Sequence, residues 1–229
     1  MRVSIYQPGY FPSLHYFNRI LSSDVFVLLD TAQYTRGVRS TNTAKIKGKD
    51  GYIINMTVPI LHTGKRELLI DVKVDRGQQW QRKHLETFRH AYGKKDEWNK
   101  YVSGLDTFYG LRESSFCKIC ELSIRGSMGV IDGWKGNFVR ASDLGISGKG
   151  SKWMLDICKR LGATEYLCGK PAYDNYLDIE SFEKAGIKIM VQNWEAPKYK
   201  QQGDGFIKNL SILDLLFNVP EENRRALLV

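Results

Sequence analysis

The sequence predicts an α/β protein: a mixed, partly parallel twisted sheet with a Rossmann-like start, flanked by helices and carrying a mid-chain helical insertion. Three observations point there. Val3-Ser4-Ile5-Tyr6 and Asp24-Val25-Phe26-Val27-Leu28-Leu29-Asp30 are apolar runs of strand length, joined by a helical stretch with Leu14, Phe17, Ile20 and Leu21 on one face. Residues 151–194 alternate helix and strand again. Between these regions, Gln78 to Arg125 carries helical patterning throughout.

The opening strand–helix–strand leaves enough crossover for its two strands to lie parallel and adjacent. Gln7 and Asp30 then sit at the carboxyl ends of neighbouring strands, the edge where open α/β sheets bind ligands. Thr31 to Lys49 is polar and basic. Lys49-Asp50-Gly51 signals a turn, which pairs Ala44–Lys47 with a strand over Tyr52–Pro59 as a hairpin. Leu68–Asp75 reads as a further strand, so the middle of the sheet is expected to be mixed or antiparallel. Three helices follow, near Gln78–Tyr92, Glu97–Phe108 and Ser114–Ile124. Asn137–Ala141 is a strand candidate. Gly145–Ser151 opens a helix with Met154, Ile157, Cys158 and Leu161 at helical spacing, ended by Gly162. Strands at Glu165–Gly169 and Ile187–Trp194 flank a short helix at Ile179–Ala185. Leu210–Asn218 is an almost wholly apolar final helix. No repeat or linker divides the chain, and residues 1–229 read as a single domain.

At 229 residues, with 42% apolar residues and a mean hydropathy of −0.36, the chain has the composition of a globular protein. No apolar run approaches the roughly eighteen residues of a membrane span, and no signal-peptide pattern opens the sequence. A cytoplasmic location is the expectation. Four cysteines do not make a disulfide scaffold in a chain of this length. A net charge of +9, spread without a basic tract, favours acidic or phosphorylated partners over nucleic acid. No cofactor or metal is expected.

Gln7, Asp30 and the basic loop form the first candidate constellation. Asp30 is a candidate general base or hydroxyl acceptor, and Arg36, Arg39 or Lys45 could hold phosphate. The competing reading makes Asp30 a turn cap above a solvated basic face. Gly145–Ser151 resembles an anion cradle, with Ser151, Lys149 and Lys152 as phosphate contacts. It lacks the P-loop pattern, and a flexible loop with Ser151 as helix N-cap is the slightly favoured reading. Cys117-Lys118-Ile119-Cys120 lies within a helical pattern and reads as buried thiols rather than a zinc site. Cys168, beside Gly169 and Lys170, is the one thiol considered as a nucleophile. His84 is the most plausible titrating histidine, balanced between surface and site roles. Asp214, on an apolar helix, either completes a capping pair with Ser211 or pairs with a site cation.

These stretches resemble the WbqC-like family. Val3-Ser4-Ile5-Tyr6-Gln7-Pro8-Gly9-Tyr10-Phe11-Pro12 is similar to its opening pattern, and Asp24–Asp30 with Gln33-Tyr34 to its second signature. Leu155–Cys158 with Gly162–Leu167 and Tyr176-Leu177, and Tyr199, Gln201, Phe206 and Leu210–Asn218, match two later ones. The chain departs from the pattern at Tyr6, His15, Val38 and Thr43, and Asn42, Lys45 and Ile46 fit only with a one-residue shift. The resemblance implies a bacterial cytosolic protein of O-antigen or other surface-glycan synthesis. Its expected chemistry is transfer of an acyl or aminoacyl group, such as glycyl, from an acidic carrier-protein thioester to the amine of a nucleotide-linked amino sugar. Asp30, His84 and Gln7 are the expected catalytic groups. Tyr10, Gln33, Tyr34, Arg36, Asn42, Lys45, Lys83, Cys168, Tyr199 and Asp214 are the expected substrate contacts. A non-catalytic sugar-nucleotide-binding protein and a glycosyltransferase-like enzyme are the alternatives.

Overall fold

A computed structural model describes residues 1–35, 39–61, 67–131 and 133–229. Arg36 and Val38 lie outside the described residues. The first two strands, β1 (Arg2–Tyr6) and β2 (Val25–Leu28), run parallel with Val3 beside Val25 and Tyr6 beside Leu28. Helix α1 (Leu14–Leu21) joins them. Its apolar stripe of Leu14, Phe17 and Ile20 is buried. A short helix, α2 (Arg39–Asn42), leads into a two-stranded hairpin of β3 (Thr43–Lys47) and β4 (Ile53–Thr57). Gly51 turns that hairpin at φ +84°, a conformation natural to glycine.

The insertion is α3 (Trp80–Tyr92), α4 (Trp98–Gly110) and α5 (Phe116–Gly129). Helix α3 buries Trp80, His84, Phe88 and Tyr92, one residue per turn. Ser115 caps α5, its Oγ accepting from Lys118 N–H at 3.3 Å. Strand β5 (Asn137–Arg140) returns the chain to the sheet. There follow α6 (Gly150–Arg160), β6 (Glu165–Cys168), α7 (Lys170–Asn175), α8 (Ile179–Lys184) and β7 (Lys188–Val191), then α9 (Ile212–Asn218) and α10 (Glu221–Leu228).

The main sheet has the order β5–β2–β1–β6–β7 and is parallel throughout. The antiparallel pairing expected in mid-chain exists, but as the separate β3–β4 hairpin. The strand expected over Leu68–Asp75 is absent. Its place is taken by a 3₁₀ turn, Leu69–Asp71, and single bridges at Leu68, Lys73 and Val74. Leu69, Val72 and Val74 are the buried residues there, a spacing no strand face can supply. This segment ties the insertion to the sheet: Leu69 N–H donates to Ala32 O at 2.8 Å and Phe116 N–H to Val72 O at 3.0 Å. Helix α10 had no sequence expectation. It packs on α1, where Asn18 Nδ2 donates to Leu228 O at 2.9 Å.

Among the described residues no helix is long and apolar enough to cross a membrane, and no group of three His, Cys, Asp or Glu is arranged to hold a metal. Cys117, Cys120, Cys158 and Cys168 are free and buried, and burial pushes Cys117 up to about 12.

Candidate functional site

The chain leaves β1 for β2 and β5 on one side, then crosses back to β6 and β7 on the other. The order therefore reverses between β1 and β6, and the crevice outside their carboxyl ends is the place where such sheets take ligands. A cavity of about 390 Å³ occupies that crevice, with Tyr6, Gln7, Arg19, Gly169, Asn175 and Tyr176 in its wall. A second, of about 330 Å³, lies between the loop after β1, His15 and Thr41. Tyr6 and Gln7 line both.

The loop after β1 is rigid for local reasons. Pro8 and Pro12 fix two φ angles, and Tyr10 N–H donates to Thr41 O at 2.8 Å. Phe11 sits at φ 39°, in the left-handed region that an aromatic residue rarely adopts. It is held there at both ends of its peptide. Its N–H donates to Ser123 Oγ at 3.0 Å, and its carbonyl accepts from Ser211 Oγ at 2.7 Å. Gln7 is thus presented at the sheet edge by a clamped turn, and its side chain is exposed.

Arg19 is the buried charge of the crevice. Its Nε and Nη2 donate to Gln192 Oε1 at 3.1 and 2.6 Å. Its guanidinium lies 4.6 Å from the centroid of the Tyr6 ring. His15 Nδ1 is 2.9 Å from Ser13 Oγ. Burial, and then the charge of Arg19, lowers the pKa of His15, so its imidazole is neutral at pH 7.

Of the residues expected from sequence, Gln7 lines the crevice; the others named next do not. Asp30 lies two residues beyond the end of β2, and its carboxylate is bound by a 3₁₀ turn, Ser142–Leu144. It accepts from Ser142 N–H at 3.0 Å and from Ser142 Oγ at 2.5 Å, the turn-capping alternative. His84 is buried in the insertion, its Nδ1 2.9 Å from Tyr10 Oη, which lies 2.5 Å from Tyr109 Oη. Burial lowers His84 to about 4, against an opposing hydrogen bond with the Thr57 backbone. Asp214 is enclosed by Tyr92 and Tyr199, each hydroxyl donating at 2.8 Å. Burial raises its pKa, against the opposing hydrogen bonds of Tyr92 and Tyr199 and the charge of Lys47. Ser211 caps α9 by accepting from Leu213 N–H, but its own N–H donates to Lys45 O, so the reciprocal pair with the Asp214 carboxylate is not formed.

The remaining expected contacts are structural or exposed. Gln33 bridges Leu68, Tyr34 packs edge-on to Phe116, and Asn42 Nδ2 donates to Val58 O at 3.0 Å. Lys45, Lys83, Lys149 and Lys152 are exposed, and Lys152 pairs with Asp156. Ser151 is not the N-cap of α6. Lys149 holds that position, and Ser151 Oγ accepts from Asp178 N–H at 2.7 Å. Cys168 is buried next to the crevice-lining Gly169 and is not itself in the cavity wall. Its pKa is raised by that burial rather than lowered by Lys170, with Arg19 the main opposing charge.

Arg19, His15, Gln192 and Tyr176 were not foreseen as site residues. Arg19 falls in the last turn of α1, where a basic residue reads as a solvated partner of the helix dipole. The polar side of α1 is buried only because α10 and the end of β7 cover it, and nothing local announces that.

No solved structure matches this chain. An uncharacterized protein of Mycobacterium tuberculosis is 28% identical over 228 residues, covering 96% of this chain and 95% of its own length. The WbqC-like protein family matches residues 7–226. With a match across nearly its whole length, the chain belongs to the WbqC-like protein family.

Proposed function

We propose that this protein is a cytosolic transferase that holds a nucleotide-linked amino sugar in the β1–β6 crevice and acylates its amine from a carrier-protein thioester. The observation that carries the reading is the crevice itself, a largely apolar and aromatic cavity with Gln7, Arg19 and Asn175 as its polar groups, at the reversal point of a parallel sheet. The acceptor amine must lose a proton to attack. Asp30 and His84 are occupied by internal partners, so His15, neutral and beside the same loop, takes the role of base. Gln7, between the two cavities, would bind the sugar or the developing oxyanion. The net charge of +9 suits an acidic carrier.

The test is incubation with a nucleoside-diphosphate amino sugar and an acyl-carrier thioester, read by mass spectrometry of the sugar. A gain of one acyl mass is expected, with loss of that gain in His15→Asn while the sugar nucleotide still binds. Undiminished transfer in His15→Asn would remove it as base. The non-catalytic alternative draws on the internal commitment of Asp30 and His84. It predicts sugar-nucleotide binding without any mass gain.

A further inference from the structure

Burying a charge without a counter-charge is costly, and proteins rarely do it without a reason. Arg19 is 5% exposed and lies in the wall of the crevice. It keeps its charge at any ordinary pH. Yet it takes part in none of the ion pairs among the described residues.

Its donors are only partly used. Nε and one hydrogen of Nη2 go to a single neutral acceptor, Gln192 Oε1. Gln192 is itself fixed, its Nε2 donating to His15 O at 2.8 Å and Asn18 Oδ1 at 2.6 Å. One face of the guanidinium is covered by Tyr6. The side-on fork is therefore filled, while Nη1 donates to no described residue. What remains is the end-on pair, Nη1 with the second hydrogen of Nη2. Two parallel N–H groups match two oxygens of one carboxylate or phosphate. Gly169 supplies the room. A Cβ there would stand 2.8 Å from Nη2, although a φ of −85° admits any residue.

We infer that Arg19 is the anion anchor of the crevice: the ligand carries a phosphate or carboxylate that completes the end-on pair of the guanidinium. This deepens the function proposed above and shares its reading of the crevice as the ligand site. The anchor positions the ligand and is not itself a proton-transfer group.

The full chain is titrated calorimetrically with UDP, uridine, inorganic pyrophosphate and acetate, as wild type, Arg19→Met, Arg19→Lys and Gly169→Ala. Thermal melts check that each variant is folded. Wild type is expected to bind UDP at least about tenfold more tightly than uridine, the scale of a charge-assisted contact. Arg19→Met abolishes that preference, and Arg19→Lys, a point charge without the fork, keeps part of it. Gly169→Ala retains the charge but crowds it, and weakens UDP without touching uridine. Equal binding of UDP and uridine to wild type, or unchanged UDP affinity in Arg19→Met, overturns the anchor. So does failure of all four probes. If neither UDP nor uridine binds, but pyrophosphate or acetate binds and is lost in Arg19→Met and Gly169→Ala, the anchor stands and the nucleotide-sugar reading fails. Whichever of those two anions binds tells phosphate from carboxylate.

Discussion

Among the described residues two arginines lie buried, Arg19 on α1 and Arg224 on α10, and their surroundings differ in a way that separates structure from binding. Arg224 is completely buried and wholly satisfied. Its Nε donates to Val219 O, its Nη1 to Tyr101 Oη and Val130 O, and its Nη2 to Leu216 O and to Glu97 Oε2 at 2.6 Å. It ties α10 to the insertion and needs nothing further. Arg19 has one neutral acceptor, no carboxylate and an unused nitrogen facing the question of a ligand. The same side chain, at similar burial, is a closed joint in one place and an open valence in the other.

The largest effect expected from breaking this contrast lies on the closed side. Removing the carboxylate of a buried pair leaves an uncompensated guanidinium. Glu97→Gln should therefore cost about 3–5 kcal/mol of stability in urea unfolding. It should leave UDP binding to the folded protein unchanged.

Next in size is an effect of pH on another sealed cluster, His84 with Tyr10 and Tyr109. Folding holds His84 at about 4 against 6.5 for a free imidazole. The folded state thus binds fewer protons between these values. Its stabilising contribution is complete above pH 6.5 and is lost as pH falls towards 4. The loss is about 3 kcal/mol. Asp214, its pKa raised by burial, acts with the opposite sign: stability falls as pH rises through its window above 3.8. The difference between wild type and His84→Gln isolates the histidine, and a pH-independent difference across that window would show that His84 is not held neutral.

Asp30 is where sequence reasoning met its limit. The parallel pairing of β1 and β2 was legible, because two apolar runs and one amphipathic helix leave few other arrangements. So was the exposure of Gln7 at the sheet edge. The partner of Asp30 is Ser142, distant in sequence, and no periodicity reports which way a carboxylate at a strand end will turn. For the same reason the sequence left His84 balanced between a surface and a site role, whereas the fold buries it against Tyr10 of the loop after β1. Local pattern gives elements and faces; the choice of polar partner is made by tertiary packing. Asp30→Asn keeps an acceptor for Ser142 N–H but loses charge assistance, and should cost about 1–2 kcal/mol. It should leave UDP affinity unchanged; a loss of affinity at full stability would return Asp30 to the site.

The smallest expected effect is the most discriminating. Arg19→Met removes two hydrogen bonds to Gln192 and a cation–π contact with Tyr6, all favourable. It also removes the cost of holding an unpaired charge out of water, while the methionine stem keeps packing against the Tyr6 ring. These terms oppose one another, so the stability of the free protein should change by less than about 1 kcal/mol. Arg224→Met has no such offset, since every donor there is matched, and it strands Glu97 and several backbone carbonyls in the interior. Urea unfolding of the two variants in parallel decides the matter. Equal losses would make Arg19 a second structural joint. A near-neutral Arg19→Met beside a severely destabilised Arg224→Met is what a residue kept for an external anion requires.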